Sequence, residues 1–237
     1  MKLCKPGRKL GRAAGGLAVI AAVACSPLLS GCKTWKTLTT SEKTLEEQRK
    51  YGSTADQRIE TLAADAAKAK AGTHAEKAEF TSGQVKSMLE EHDPRVRCVI
   101  LETVAEFETP SAVAICKGGL EDPDPRVRMA ACTVWRTRGG PEAVELLATR
   151  YRSDQEIDVR LRALRELGQL GDQQAIPVLA KALEDSDPAV QYRAVAALKK
   201  VSGRDLGDDV NKWREWAADP AGSAAEWSVA EEFRKLF

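Results

Sequence analysis

Arginine, cysteine and histidine are the residues here whose chemistry could carry a function. Arg97, Arg128 and Arg160 each follow a valine, and Val96, Val127, Val159 and Val190 are spaced by 31, 32 and 31 residues. Arg95, Arg126, Arg162, Arg165 and Arg193 lie close by. A row of guanidiniums at one repeat position could be a ridge for an acidic peptide, a polysaccharide or a phosphate. It could instead be an internal ladder, each Arg bonding to the capping acid of an adjacent unit, Asp124, Glu156 or Asp187. The planar fork of Arg suits that second role because it meets a carboxylate with two hydrogen bonds. Exposed pairs contribute only ~0–1 kcal/mol, so the row is read first as geometry and the ladder is favoured.

Nucleophilic and metal chemistry find less support. Cys116 shares its repeat position with Val85, Leu147 and Leu179, and Cys132 shares its own with Leu101, Leu164 and Val195. Both read as small core hydrophobes, with Cys98 nearer a boundary. A catalytic thiol needs a lowered pKa and a neighbouring base, and the repeat register supplies no histidine. His74 and His92 have no ligand-like spacing, so no metal is expected, and His92 reads as a surface turn residue. No nucleophile elbow, phosphate loop or dinucleotide fingerprint occurs. The expectation is a chain that is not an enzyme, with no cofactor and no evident small-molecule substrate.

The elements that position these residues are repeated helix pairs. Asp93-Pro94-Arg95-Val96-Arg97 matches Asp124-Pro125-Arg126-Val127-Arg128, then Glu156-Ile157-Asp158-Val159-Arg160 and Asp187-Pro188-Ala189-Val190-Gln191. The acid should cap each first helix and the proline should take its first position. Gly139-Gly140, Gly168, Gly171 and Gly203 fall where first helices should end. Second helices recur over Ala112–Leu120, Ala143–Tyr151 and Ala175–Leu183. Four, five and eight residues after each valine comes an apolar stripe: Ile100, Leu101 and Val104, then Ala131, Cys132 and Trp135, and so on. One pair cannot bury such a stripe alone, and stacked neighbours can. Ile59, Leu62, Ala63, Ala66, Ala67 and Ala69, with Val85, Met88 and Leu89, suggest a diverged first unit. Trp213 and Trp216, three residues apart, read as a lid over the last stripe in preference to a ligand-stacking platform.

Composition agrees. The 237 residues bound the chain to one or two domains, and 36 basic against 35 acidic residues remove an overall basic footprint for nucleic acid. An aromatic content of 5% suits helices better than a β-sandwich.

The N-terminal segment reads as an address. Lys2, Lys5, Arg8, Lys9 and Arg12 precede an apolar run from Ala13 to about Leu29, and no acid occurs before Glu42. That is the layout of a secretory signal peptide over residues 1–31. The run is broken by Gly15-Gly16 and Pro27, whereas a spanning helix needs ~20 apolar residues. Leu29-Ser30-Gly31-Cys32 resembles the lipobox of bacterial lipoproteins. The resemblance implies that Cys32 becomes a lipidated N-terminus carrying palmitate-class acyl chains. Two or three chains would anchor it stably, since each buried methylene adds ~0.8 kcal/mol. Cys25 is the weaker rival because it lacks the preceding leucine, and an ordinary or uncleaved signal is the alternative. Lys33 is not the aspartate that retains some lipoproteins at the inner membrane, so the outer membrane is slightly preferred. Losing five basic and no acidic residues leaves 31 against 35 and a net charge of −4. An odd set, Cys98, Cys116 and Cys132, argues against a disulfide framework.

The units Asp-x-Asp-Pro-x-Val-Arg-x-x-Ala and Gly-Asp-x-x-Ala-Ile-Pro-x-Leu resemble short HEAT repeats of the phycobilisome-lyase type, best over residues 154–205 and well over 93–153. The resemblance implies an all-α solenoid of about five helix pairs with a C-terminal Trp-containing capping helix. It divides the chain into a signal peptide (1–31), a lipidated tether (32–53), a solenoid with cap (54–218) and a tail (219–237) suited to a short amphipathic helix. The function implied is a membrane-anchored scaffold for an envelope protein, reached through second-helix positions such as Lys117, Glu145, Arg150 and Lys181. A lyase-like enzyme related to bilin-attachment proteins and a purely architectural envelope protein are the alternatives.

Overall fold

Residues 46, 47, 49, 50 and 52–220 are described in the computed structural model of the chain. The expected signal peptide (1–31), Cys32, most of the expected tether and residues 221–237 lie outside the described residues. The chain divides at Gly52/Ser53 into two units. In the first, residues 46, 47, 49 and 50 are helical. The second holds an array of helix pairs, with no strand among the described residues.

The pairs are α1 (Ala55–Ala71) with α2 (His74–Glu90), α3 (Pro94–Val104) with α4 (Pro110–Gly119), and α5 (Pro125–Arg138) with α6 (Gly140–Ser153). Then come α7 (Ile157–Leu170), a 3₁₀ turn (Gln173–Ala175) entering α8 (Ile176–Ala182), α9 (Pro188–Ser202) and α10 (Val210–Ala218). Local chemistry fixes the starts. Asp93, Asp124 and Asp187 each accept the N–H two residues on, and Pro94, Pro125 and Pro188 occupy the first turn, where no N–H is needed. Glu156 holds the equivalent place without a side-chain cap bond, unlike the expectation. Its extra methylene carries the carboxylate beyond the amides that aspartate reaches. Gly139, Gly171 and Gly203 end α5, α7 and α9 at positive φ.

Gly168 corrects the reading as a helix end: it lies within α7. A Cβ there would sit 2.7 Å from both Cα and Cβ of Ala197, so glycine sets how closely α7 approaches α9.

The first helices α1, α3, α5, α7 and α9 pack in sequence as one layer, and the repeat stripe fills the space beneath. Leu101, Val104, Ala131, Cys132, Ala163, Leu164, Leu167, Ala194 and Leu198 have no exposed surface. α10 packs on α8 and α9, so the tryptophan helix is itself the second half of the fifth pair. Trp213 is fully buried and Trp216 nearly so, edge to face at 5.5 Å. Trp213 Nε1 donates to the Gly207 carbonyl at 2.9 Å. The arrangement is a lid, with neither indole open to a ligand.

The first pair departs from the repeat pattern. Ala63 and Ala67 are exposed, and Thr81 is the only buried residue of α2. Val85, at the position of buried Leu147 and Leu179, is exposed, and Leu89 is 81% exposed. No described helix is long and apolar enough to cross a membrane.

Candidate functional site

Arg97, Arg128 and Arg160 stand in the first turns of α3, α5 and α7, and stacking brings them into a row along one edge of the array. Arg97 Nε and Nη2 donate to the two carboxylate oxygens of Asp122, both at 2.8 Å. Arg128 does the same to Asp154 at 2.8 and 2.9 Å. The Arg160 guanidinium pairs with Asp185 and its Nε donates to the Tyr151 carbonyl.

The partners are therefore not the expected Asp124, Glu156 and Asp187. They are the acids two residues earlier, in the loops between units. The cause is a division of labour. Asp93 and Asp124 are occupied by their own helix amides and by Arg95 and Arg126. The earlier acid receives the guanidinium of the preceding unit and the N–H of its own capping residue. Asp124 N–H, Glu156 N–H and Asp187 N–H donate to Asp122, Asp154 and Asp185 at 2.9, 3.0 and 3.0 Å. Arg128 Nη1 also donates to the Asp122 and Pro123 carbonyls at 2.8 and 3.2 Å, and Arg97 does likewise to Glu91 and His92. Each rung thus ties one loop to the next.

One rung was not foreseen. Arg58 of α1 donates to both oxygens of Glu91, at 2.7 and 2.9 Å. The signal was present: Glu91, Asp122, Asp154 and Asp185 recur at 31, 32 and 31 residues. Glutamate in place of aspartate, in a diverged unit, hid it. The series stops at both ends. Gln191 takes the arginine position and donates only to the Asp185 carbonyl at 2.6 Å, while the acid position of the first unit falls on Gly52.

Burial gives the ladder its weight. The side chains of Asp122 and Asp154 are 6% and 1% exposed, and those of Arg97 and Arg128 are 11% and 13%. Burial pushes the Asp154 carboxyl up, but hydrogen bonds from Arg128, the Glu156 N–H and Arg150 outweigh it and hold it below the usual range. All three guanidinium nitrogens of Arg97 and of Arg128 donate within the protein, and Arg160 donates through Nε and Nη2, so the row forms an internal ladder.

Other expected positions fall differently. Arg150 is not a solvent-side contact: it is buried, pairing with Asp154 and Glu121. Lys117, Glu145 and Lys181 are exposed, Lys117 bridging to Glu142 at 2.6 Å and Lys181 to Glu184 at 2.5 Å. Arg162 and Arg136 share buried Glu166. Arg165 and Arg193 line a small cleft between α7 and α9.

Burial raises the Cys116 thiol to about 11 and the Cys132 thiol to about 12, and lifts Cys98 as well. All three are free thiols. His74 opens α2 and His92 lies in the turn before α3, both exposed, and no metal-holding cluster occurs among the described residues.

A groove of about 340 Å³ runs beside the ladder between the ends of α2 and α4. Met88, Leu89, Gly118 and Pro123 supply its apolar wall, and Arg97, Glu121 and Asp122 its charged one. Leu89 is the most exposed large apolar side chain of the described residues.

Comparison with curated proteins finds none that matches. A family model described as HEAT repeats matches residues 84–157 and 150–230, more than half of the chain. That match spans the stacked helix pairs, and the chain belongs to the HEAT-repeat family, whose repeats suggest a protein-interaction scaffold.

Proposed function

We propose that this chain is a lipid-anchored adaptor of the bacterial cell envelope, moored through Cys32 and holding a partner protein against its helical array. It acts by binding and not by catalysis, and its short units belong to the phycobilisome-lyase type of HEAT repeat. The observation that carries the binding role is the groove beside the ladder. Leu89 is 81% exposed there, next to Met88 and a flat glycine at Gly118, on a scaffold whose neighbouring loops are locked by buried ion pairs. An exposed apolar side chain beside loops held by ion pairs suits the centre of an interface, where burial of a few anchors supplies most of the affinity. The lipobox Leu29-Ser30-Gly31-Cys32 supports the mooring.

A photo-crosslinking residue at Leu89 in the full chain, expressed in the native host, tests the reading. It should trap one defined envelope protein, and Leu89→Asp should lose that protein while the melting temperature stays unchanged. Crosslinks only within the chain, or a partner retained by Leu89→Asp, would sink it. Metabolic labelling with an alkyne fatty acid, abolished by Cys32→Ser, tests the anchor separately.

A further inference from the structure

The outward positions of the first helices lie three, six and ten residues after the repeat valine. In α3 they are Val99 and Glu102, with Glu106 in the turn that follows; in α5, Ala130, Thr133 and Thr137; in α7, Arg162, Arg165 and Gln169; in α9, Arg193, Ala196 and Lys200. Cations gather only in the last two helices. Arg165, Arg193 and Lys200 converge on a cleft of about 60 Å³ completed by Gln169, Ala196 and Ala197, and no carboxylate lines it.

That arrangement is unusual for this molecule. Arg95 and Arg126 bond to their own caps, Lys117 to Glu142 and Arg162 to Glu166. Arg165, Arg193 and Lys200 have no partner among the described residues. Acids are nearly as numerous as bases, so the sequence had carboxylates to place there. The contact between Gly168 and Ala197 brings the two helices together, and Ala196 and Ala197 give the cleft a low floor beneath the charged heads. Like charges held close repel one another until an anion enters.

We propose that the α7–α9 cleft binds a phosphate group. Two guanidiniums supply paired donors and the ammonium a point charge, a set that a tetrahedral oxyanion can satisfy on several oxygens at once. A single carboxylate offers fewer acceptors. The volume is that of about two waters at ~30 Å³ each, enough for one such group and too small for a folded segment. The phosphate comes either from a lipid headgroup or from a free phosphate compound.

The test uses the full chain carrying Cys32→Ser, so that an acyl anchor does not contribute. Inorganic phosphate is titrated while the Nε–H resonances of arginine are followed by NMR. The signals of Arg165 and Arg193 should shift saturably. Lys200→Gln should weaken the titration by about tenfold, the loss of one charge-assisted contact. Arg126→Gln should leave it unchanged. Flotation with phosphatidylcholine vesicles, with and without phosphatidylglycerol, forms the second arm. Retention that depends on phosphatidylglycerol and is lost in Arg165→Gln/Arg193→Gln assigns a lipid headgroup. Phosphate binding without that dependence assigns a free compound. No saturable shift, a shift indifferent to Lys200→Gln, or tighter binding of polyglutamate than of phosphate overturns the proposal, the last in favour of an acidic protein segment.

Discussion

Asp154 is the residue on which the ladder depends most. It accepts from Arg128, from Arg150 and from the Glu156 N–H while almost wholly buried. Replacing it with alanine leaves the largely buried Arg128 guanidinium without a counter-charge and Arg150 with Glu121 alone, and we expect a loss of about 3–5 kcal/mol in urea unfolding. Arg126→Ala, which removes only an exposed pair, should cost ~0–1 kcal/mol by the same measurement. The difference between them is the test that the inner acid, and not the capping acid, carries the ladder. Which of the two acids in Asp-x-Asp-Pro meets the neighbouring arginine was not legible in the sequence. It depends on how the loop turns, and that is fixed by the next unit. The position of the arginines was legible, since a strict period must align them once the units stack.

The acids also set the response to pH. Asp154, Asp185 and Glu91 are held below their ordinary values, and hydrogen bonds from Arg126 hold Asp124 at about 2. Their folded values lie below the unfolded ones of ~3.9 for aspartate and ~4.3 for glutamate. Their stabilising contribution is therefore complete above about pH 5 and is lost as the pH falls from about 4 towards 2. The urea midpoint should be flat above this window and fall within it. A midpoint that rises on acidification would contradict the ladder.

At the scale of the helix, two glycines with the same letter have opposite meanings. Gly168 faces Ala197 at a distance that admits no Cβ, so Gly168→Ala must push α7 from α9 and should destabilise the protein by about 1–3 kcal/mol. Gly83 lies mid-helix in α2 with open space around it, so Gly83→Ala should stabilise by up to ~1 kcal/mol through helix propensity. Thermal unfolding of the two variants should move in opposite directions. Helix ends and starts were readable from the chain because caps, prolines and terminal glycines act within a few residues. The role of Gly168 was not, because its partner lies 29 residues away in another helix. The lid belongs to this scale too. Trp213→Ala empties a fully buried site beneath α10 and should cost about 3–5 kcal/mol.

Across the whole array, stability should be unequal. Repeats of this kind touch only their neighbours, so each region is as firm as its local contacts. α2 buries a single threonine, while α7 buries Val159, Ala163, Leu164, Glu166, Leu167 and Gly168. Hydrogen exchange read by mass spectrometry should find α1 and α2 opening before α7 and α9. Equal protection along the array would contradict this. The sequence marks α1 and α2 as a diverged unit, but the spacing of Val85, Met88 and Leu89 still reads as a buried stripe. The neighbour of α2 cannot cover Val85 and Leu89, and that lack of cover is not written in the residues themselves.

The two blank ends of the ladder bear on how copies of this protein can live side by side. A solenoid is at risk of growing into a filament whenever its last surface accepts its own first surface. Here the repeat register offers only the neutral amide of Gln191 at one border and Gly52, which has no side chain, at the other. Among the described residues the stitch that welds one repeat to the next thus has neither thread nor eyelet at its borders, so this ladder offers no rung by which one copy could continue into another.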